Sequence, residues 1–168
     1  MTNGFTIRPA TGDDLLAILE VGHRTWPPTY GPIAGDDYVA MGLAKWWTAD
    51  ATIPAIRSGR ATVAERDGNV IGVTVSGTLD DEVALWKLYV LPEHQGMGVG
   101  TALLSAAVDR ATDDGRTTMV LSYLDGNIGA AGFYERSGFE IYQRDPGGSG
   151  VPDSIWVRLA LTTQGSGA

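Results

Sequence analysis

A glycine-rich turn between a predicted strand and a predicted helix constrains the fold of this chain more than any other feature. The strand-like residues 83–91 end at Pro92, glycines then occur at alternate positions within 95–100, and helical periodicity follows. Glycine allows tight turns and lets the backbone approach a ligand closely. The unpaired N–H groups at the start of a helix can bind an anion, aided by the helix dipole. The turn therefore predicts a cradle for a phosphate or pyrophosphate.

Three kinds of anion-binding loop can follow a strand in this way, and the residues distinguish between them. A P-loop needs lysine and then serine or threonine after its last glycine, whereas Gly100 is followed directly by Thr101. The dinucleotide-binding fingerprint needs glycine or alanine three residues after its second glycine, and Thr101 occupies that position too. The pattern Gln-x-x-Gly-x-Gly remains, and residues 95–100 match it. A tight turn that binds no ligand is the alternative.

The composition excludes several classes of function. The 168 residues include no cysteine, which excludes disulfides, cysteine-based zinc sites and thiol nucleophiles. Only two histidines are present, and we expect no metal site. The formal charge of −8 argues against binding to nucleic acid, which needs clustered lysine and arginine. The sequence has neither the apolar run of roughly 18 residues typical of a membrane span nor a signal-peptide pattern, so we expect a cytoplasmic protein.

Local periodicity predicts an alternation of strands and helices. A short strand comes first, and we expect the helix after it to end at Trp26-Pro27-Pro28, because proline cannot continue a helix. A loop over 29–35, a second helix, three strands joined by short turns, and then alternating helices and strands complete the order. We predict a mixed α/β (α+β) fold with a central sheet of about seven strands flanked by about four helices. One domain would span 1–161, followed by a flexible tail at 162–168.

Two sequence blocks in this order resemble the GNAT superfamily of acyl-CoA-dependent N-acetyltransferases. The first block is the segment 88–92 leading into the pattern at 95–100. The second block has the matching spacing and consists of Asn127, Ala130, Phe133, Tyr134, Gly138 and Phe139. The predicted order of strands and helices extends the resemblance over nearly the whole chain. The resemblance implies a GNAT-like arrangement of the mixed sheet.

The resemblance also implies that acetyl-CoA is the co-substrate and indicates which residues would bind it. Backbone groups of Leu88, Tyr89 and Val90 would line the pantetheine arm. The pyrophosphate would be held at the glycine-rich turn, formed by Gln95, Gly96, Met97, Gly98, Val99, Gly100 and Thr101. Asn127 would contact the CoA arm, and Tyr134 would lie near the sulfur. Without the resemblance, Tyr134 would be interpreted as a core aromatic residue.

Such a site would transfer the acetyl group directly, without an enzyme nucleophile. The acceptor amine attacks the thioester, a backbone N–H of the central strand stabilises the developing oxyanion, and Tyr134 donates a proton to the leaving thiolate. Three alternatives remain for the base that deprotonates the amine: Glu82 at the start of the central strand, His23, or a chain of water molecules. Glu82 also fits a solvated turn carboxylate, and His23 also fits a structural residue.

The resemblance places the acceptor pocket between the first two helices and the last strands, and this region is aromatic here. We expect Trp26, Tyr30 and Trp86 to contact the acceptor, because aromatic faces attract a protonated amine. Ordinary core packing is the alternative for these side chains. Lys87 faces either the ligand or the solvent. Parts of the segment 24–38 also resemble, more weakly, bacterial polyamine acetyltransferases.

The function that these observations favour is acetylation of a primary amine on a small molecule by acetyl-CoA. Two alternatives remain: acetylation of a protein N-terminus or lysine, and a non-catalytic sensor that binds acyl-CoA. The negative charge would steer a cationic acceptor toward the protein, and it equally suits a soluble protein with no such role. We expect no nucleic-acid or membrane partner, and exposed edge strands are compatible with a homodimer.

Overall fold

The structure is a computed structural model that describes residues 4–162. Within these residues the strands are β1 (Thr6–Pro9), β2 (Ala61–Arg66), β3 (Asn69–Leu79), β4 (Glu82–Val90), β5 (Thr118–Leu124), β6 (Glu140–Asp145) and β7 (Ser154–Ala160). The α-helices are α1 (Leu15–Ala34), α2 (Asp36–Trp46), α3 (Ala49–Arg57), α4 (Val99–Asp113) and α5 (Ile128–Arg136). The predicted mixed α/β fold with seven strands is confirmed, with five described α-helices rather than about four. Apart from Thr162, the predicted tail 162–168 lies outside the described residues.

The seven strands form one sheet in the order β1-β2-β3-β4-β5-β7-β6. Neighbouring strands are antiparallel except β4 and β5, which run parallel. A parallel pair needs a crossover connection, and α4 provides it. Strands β1 and β6 form the two edges of the sheet, and a homodimer that uses an edge stays a prediction.

The pairing between β4 and β5 covers only the beginning of the two strands. Val83 pairs with Met119 and Ala84 pairs with Val120, and no later residue of either strand continues this ladder within the described residues. The strands therefore diverge toward their carboxyl ends. This divergence opens a gap in the middle of the sheet, and α5 begins a few residues after β5 beside that gap.

Helices cover both faces of the sheet in its centre. All five residues 71–75 of β3 are buried, although successive side chains of a strand point to opposite faces. Helices α1 and α4 both pack against β3 and β4. Among the described helices, none is long and apolar enough to cross a membrane.

The first helix is longer than the sequence predicted. It continues through Trp26, Pro27 and Pro28 to Ala34, so the predicted stop at these prolines and the predicted loop over 29–35 are wrong. Each proline removes one backbone donor and crowds the preceding turn. Trp26 and Tyr30 are buried on the core side, whereas the prolines are exposed, so tertiary packing outweighs the local preference. The helix ends at Gly35, where φ is +90°.

Candidate functional site

The central strand carries a bulge next to the gap in the sheet. Val75 of β3 pairs with Lys87 and Ser76 pairs with Leu85, so Trp86 is an extra residue on β4. A bulged residue is left out of the hydrogen-bonding ladder, which frees backbone groups and redirects the side chains around it. Both Trp86 and Lys87 consequently line the same cavity. The bulge places unpaired backbone of β4 where a carbonyl oxygen could be bound.

A small cavity of about 70 Å³ lies in the gap between β4 and β5, and we call it the gap cavity. Its lining consists of Tyr30, Leu85, Trp86, Leu88, Tyr89, Leu121, Ser122, Tyr123, Asn127, Ala130 and Tyr134. It therefore brings together β4, Asn127 at the start of α5 and Tyr134, the predicted proton donor. Four of the cofactor-binding residues predicted from the sequence, Leu88, Tyr89, Asn127 and Tyr134, belong to it.

Tyr134 is packed among aromatic rings with only 8% of its surface exposed. The ring of Tyr123 stacks on it at 6.4 Å, and the ring of Phe139 meets it edge-on at 5.4 Å. Its hydroxyl makes no hydrogen bond within residues 4–162, although the side chain lines the gap cavity. Burial raises the pKa of Tyr134 above its ordinary value, because the charged phenolate would be poorly solvated.

The raised pKa of Tyr134 has two consequences for its predicted role. The side chain stays a neutral phenol throughout the neutral pH range, so its hydroxyl can always donate a hydrogen bond. Complete transfer of its proton to a thiolate, whose reference pKa is about 8.5, becomes less favourable. The raised pKa therefore favours a hydrogen bond from Tyr134 to a leaving sulfur over full proton donation.

Asn127 holds the start of α5. Its Oδ1 accepts a hydrogen bond from the backbone N–H of Ala130 at 3.2 Å, the usual arrangement of a helix N-cap. Its Nδ2 and the second lone pair of Oδ1 are available for the predicted contact with the CoA arm. The cap also sets where Tyr134, on the same helix, projects into the gap cavity.

The glycine-rich turn has the geometry of an anion cradle. Gly96 and Gly98 have φ values of +82° and +86°, and a side chain at either position would meet nothing within 4 Å. Ala102 donates to the carbonyl of Gly98, so the preceding N–H groups at the start of α4 are left for an external acceptor. Gln95 ties the turn to β4, because its Nε2 donates to the carbonyl of Val90 at 3.0 Å. These residues fit the pyrophosphate of a coenzyme A, which the backbone N–H groups would bind.

A second cavity, of about 390 Å³, adjoins the gap cavity, and we call it the aromatic cavity. Its lining consists of Trp26, Tyr30, Tyr38, Trp46, Trp47, Trp86, Lys87, Tyr89, Ser122, Tyr123, Leu124, Ser154 and Trp156. All five tryptophans of the chain are among them. The three predicted acceptor residues, Trp26, Tyr30 and Trp86, are thus brought together. The sequence interpretation missed Trp156 and Tyr123, whose only signal is their place on the strands β7 and β5.

Hydroxyl and ring contacts fix the walls of the aromatic cavity. The hydroxyls of Tyr30 and Tyr89 are 2.9 Å apart, which joins α1 to β4. The rings of Trp26 and Tyr38 are stacked with centroids 5.8 Å apart, which joins α1 to α2. Such contacts between α1, α2 and β4 hold the wall side chains in place.

Three of the tryptophans lie against glycines. A Cβ at Gly22 would overlap the ring of Trp47, and a Cβ at Gly42 would overlap the ring of Trp26. A Cβ at Gly77 would likewise overlap Trp86. These glycines therefore allow indole rings to lie directly on a neighbouring backbone.

Within the described part of the chain, Lys87 is the only cationic side chain in the lining of the aromatic cavity. Its ammonium donates to the carbonyl of Trp46 at 2.6 Å and lies 4.3 Å from the centre of the Trp47 ring. Burial lowers the pKa of Lys87 to about 8. Of the two orientations that the sequence left open, the structure has the side chain facing the cavity.

The two candidate bases lie outside both cavities. Glu82, at the beginning of β4, lines a different concavity together with Glu140 and Arg158. His23 is exposed on α1. Their assignment as the base stays a prediction, and these positions give it no support.

The acetyltransferase (GNAT) family matches residues 19–139, which cover both sequence blocks and most of the chain. A mycothiol acetyltransferase of Tsukamurella paurometabola is 30% identical over 149 residues, 84% of this chain and 50% of that protein. A spermidine N(1)-acetyltransferase of Thermoplasma acidophilum is 23% identical over 145 residues, 83% of this chain and 90% of that protein.

Among solved structures, the PaiA N-acetyltransferase of Thermoplasma acidophilum in complex with coenzyme A is similar over nearly the entire chain. The TM-score is 0.83 at 22% identity, with coverage of 95% of this chain and 99% of that one. At this level of identity the similarity shows a common fold. That structure contains coenzyme A.

Proposed function

The chain belongs to the GNAT family of acetyltransferases, which use acetyl-CoA as co-substrate, and we propose that it acetylates a primary amine of a small molecule. Acetyl-CoA supplies the acetyl group as a thioester. In the overall reaction the amine nitrogen forms a bond to the acetyl carbon, and the bond from that carbon to sulfur breaks. The amine gives up one proton and the sulfur takes up one.

One observation carries this proposal: the gap cavity and the aromatic cavity share part of their lining. The shared residues are Tyr30, Trp86, Tyr89, Ser122 and Tyr123. A ligand that extends from the glycine-rich turn along β4 would reach the gap cavity, next to Tyr134. A second ligand in the aromatic cavity would meet the first across these shared residues. The arrangement suits a ternary complex in which two substrates react directly.

Each part of the site has a role in such a transfer. The N–H groups at the start of α4 bind the pyrophosphate and so fix the position of the reactive end. Unpaired backbone at the bulge near Trp86 stabilises negative charge that develops on the carbonyl oxygen. The Tyr134 hydroxyl donates a hydrogen bond to the departing sulfur. The aromatic walls exclude water and position the amine.

A small-molecule acceptor is favoured because the aromatic cavity has a volume of about 390 Å³. That volume lies within the range of roughly 300–1,000 Å³ typical of small-molecule sites. The names of the similar proteins are in agreement, since mycothiol acetyltransferase and spermidine acetyltransferase both refer to small molecules.

The test is to incubate the purified chain with acetyl-CoA and two panels of acceptors. One panel contains small primary amines, and the other contains peptides with a free N-terminus or an internal lysine. Free CoA thiol is measured, and the acetylated product is identified by mass spectrometry. Turnover with the small amines alone supports the proposal. Turnover restricted to peptides would identify a protein acetyltransferase instead, and thermal stabilisation by acetyl-CoA without any turnover would identify a sensor.

A further inference from the structure

Among residues 4–162, the lining of the aromatic cavity contains the cation Lys87 but neither aspartate nor glutamate to neutralise it. Lys87 also forms no ion pair with any residue among 4–162, and its pKa is shifted by burial alone, with no contribution from a nearby carboxylate. A half-buried ammonium without a carboxylate partner is costly unless a ligand supplies the opposite charge.

The surroundings of Lys87 keep it charged at neutral pH. A carbonyl oxygen that accepts a hydrogen bond and an indole face at 4.3 Å both stabilise an ammonium more than an amine. Even with the pKa lowered to about 8, the charged form exceeds the neutral form by roughly ten to one at pH 7. The side chain is also held at a defined place, because Trp46 and Trp47 restrain its terminal atom from two sides.

We infer that Lys87 makes the site specific for acceptors that carry a carboxylate near the reacting amine on an apolar or aromatic body, an inference that rests on the proposed function. The carboxylate would pair with the Lys87 ammonium. The apolar body would pack against the tryptophan walls. The amine would be one or two carbons from the carboxylate. It would face the gap cavity beside Trp86, which precedes Lys87 in β4 and lines both cavities.

Diamines without a carboxylate are the acceptors that this arrangement disfavours. A second ammonium in the cavity would be repelled by Lys87 and would meet no carboxylate there. Asp36 and Asp37, at the start of α2, are exposed and line a neighbouring concavity with residues 149–151, which shares Tyr38 with the aromatic cavity. They can attract an amine to the surface of the protein without neutralising charge inside the aromatic cavity.

The kinetic test uses matched acceptors that differ only in the carboxylate. Phenylalanine is compared with phenethylamine, and leucine with 3-methylbutylamine, by the kcat/KM of CoA thiol release. We expect the amino acid to be preferred by about 10- to 100-fold, the range for a hydrogen bond to a charged group. Lys87→Met should reduce this preference to about twofold or less, and Lys87→Arg should retain most of it. Lys45→Met is the control, because Lys45, the other lysine of the chain, is exposed and lies outside the cavity.

A binding measurement separates this inference from the proposed function. With CoA present, 3-phenylpropanoate and its uncharged amide are titrated while tryptophan fluorescence is recorded, since the tryptophans surround the cavity. The acid should bind at least about tenfold more tightly than the amide to the wild type and to Lys45→Met, and about as tightly as the amide to Lys87→Met. Tighter binding of the acid would support the role of Lys87 even if no amine is acetylated. In that case the proposed function would be wrong and the inference about Lys87 would remain.

Three outcomes would overturn the inference. The first is a wild-type kcat/KM for the decarboxylated amine that equals or exceeds the kcat/KM for the matching amino acid. The second is an equal loss of turnover for both members of each pair in Lys87→Met, which would make Lys87 a general base instead. The third is equal binding of the acid and the amide to the wild type. Melting temperatures confirm that each variant is folded.

Discussion

The indole ring of Trp47 lies against the backbone of Gly22 on α1 so closely that a methyl group at Gly22 would overlap it. Trp47 is only 2% exposed, so the ring cannot move aside without disrupting the core. We therefore expect Gly22→Ala to lower the free energy of unfolding by about 1–3 kcal/mol, the range for overpacking. Urea denaturation measures this change.

Gly31→Ala is the control for that substitution. Gly31 lies in the same helix, and a Cβ there would come no closer than 3.8 Å to Asp36. Alanine should raise stability by up to about 1 kcal/mol at such a position, because it favours helix over glycine. Equal changes in the free energy of unfolding for the two substitutions would show that the Trp47 ring leaves room for a methyl group at position 22.

The glycine-rich turn can be tested with two glycines in the same backbone conformation. Gly98 and Gly68 have φ values of +86° and +81°, and a methyl group added at either position would have no neighbouring atom within 4 Å. Alanine at either site should cost about 1–2 kcal/mol of stability, because L-residues disfavour this conformation. Only Gly98→Ala should also weaken CoA binding, by about tenfold or more, in isothermal titration calorimetry. An equal CoA affinity in both variants would argue against the cradle.

Removal of the Tyr134 hydroxyl should affect turnover and leave CoA binding nearly unchanged. For Tyr134→Phe we expect kcat to fall by about 10- to 100-fold, at or below the lower limit for proton-transfer groups, because the hydroxyl donates a hydrogen bond rather than its whole proton. Tyr142→Phe, on the exposed edge strand β6, is the control and should have wild-type kcat. Because burial raises the pKa of Tyr134, the pH–rate profiles of wild type and Tyr134→Phe should have the same shape up to about pH 10. A weaker CoA affinity with unchanged kcat would exclude the assigned role.

The ion pair between Arg8 and Asp14 makes a pH-dependent contribution to stability. Two guanidinium nitrogens of Arg8 donate to the Asp14 carboxylate at 2.8 and 2.9 Å, and this pair lowers the pKa of Asp14 below its ordinary value of 3.8. The folded state therefore favours the carboxylate, and the contribution is complete above about pH 4 and lost as the pH falls through the lowered pKa.

Asp14→Asn should accordingly destabilise the protein by about 1–2 kcal/mol at pH 7, a figure reduced because Arg8 is about one third exposed. The difference between wild type and variant should become smaller below about pH 4, as measured by thermal unfolding at several pH values. Asp13→Asn, at an exposed neighbouring position, serves as the control. A difference that is constant with pH would mean that the ion pair does not contribute.

The parts of the fold and site that the sequence predicted depend on local signals. Gly96 and Gly98 occupy positions with positive φ values, which favour glycine. The residues 67–69 are typical of a turn between two strands, and alternation of apolar and polar residues indicates the strands. These signals predict the seven strands and the glycine-rich turn, whereas the roles of Asn127 and Tyr134 come from the resemblance to the family.

What the sequence did not predict depends on contacts between distant residues. The helix continues through Pro27 and Pro28 because Trp26 and Tyr30 pack against β4 and α2, which local propensity does not reveal. Trp156 belongs to the aromatic cavity because of the order of strands in the sheet. The orientation of Lys87 follows from the bulge at Trp86, which reverses the alternation that the sequence would suggest.

In the proposed reaction the acetyl group passes directly from acetyl-CoA to an amine held in the aromatic cavity. Direct transfer is tested by initial rates of CoA thiol release, measured while acetyl-CoA and the best small amine are both varied. We expect double-reciprocal lines that intersect, because both substrates must be bound before either product leaves. Parallel lines, which indicate an acetylated enzyme intermediate, would contradict direct transfer.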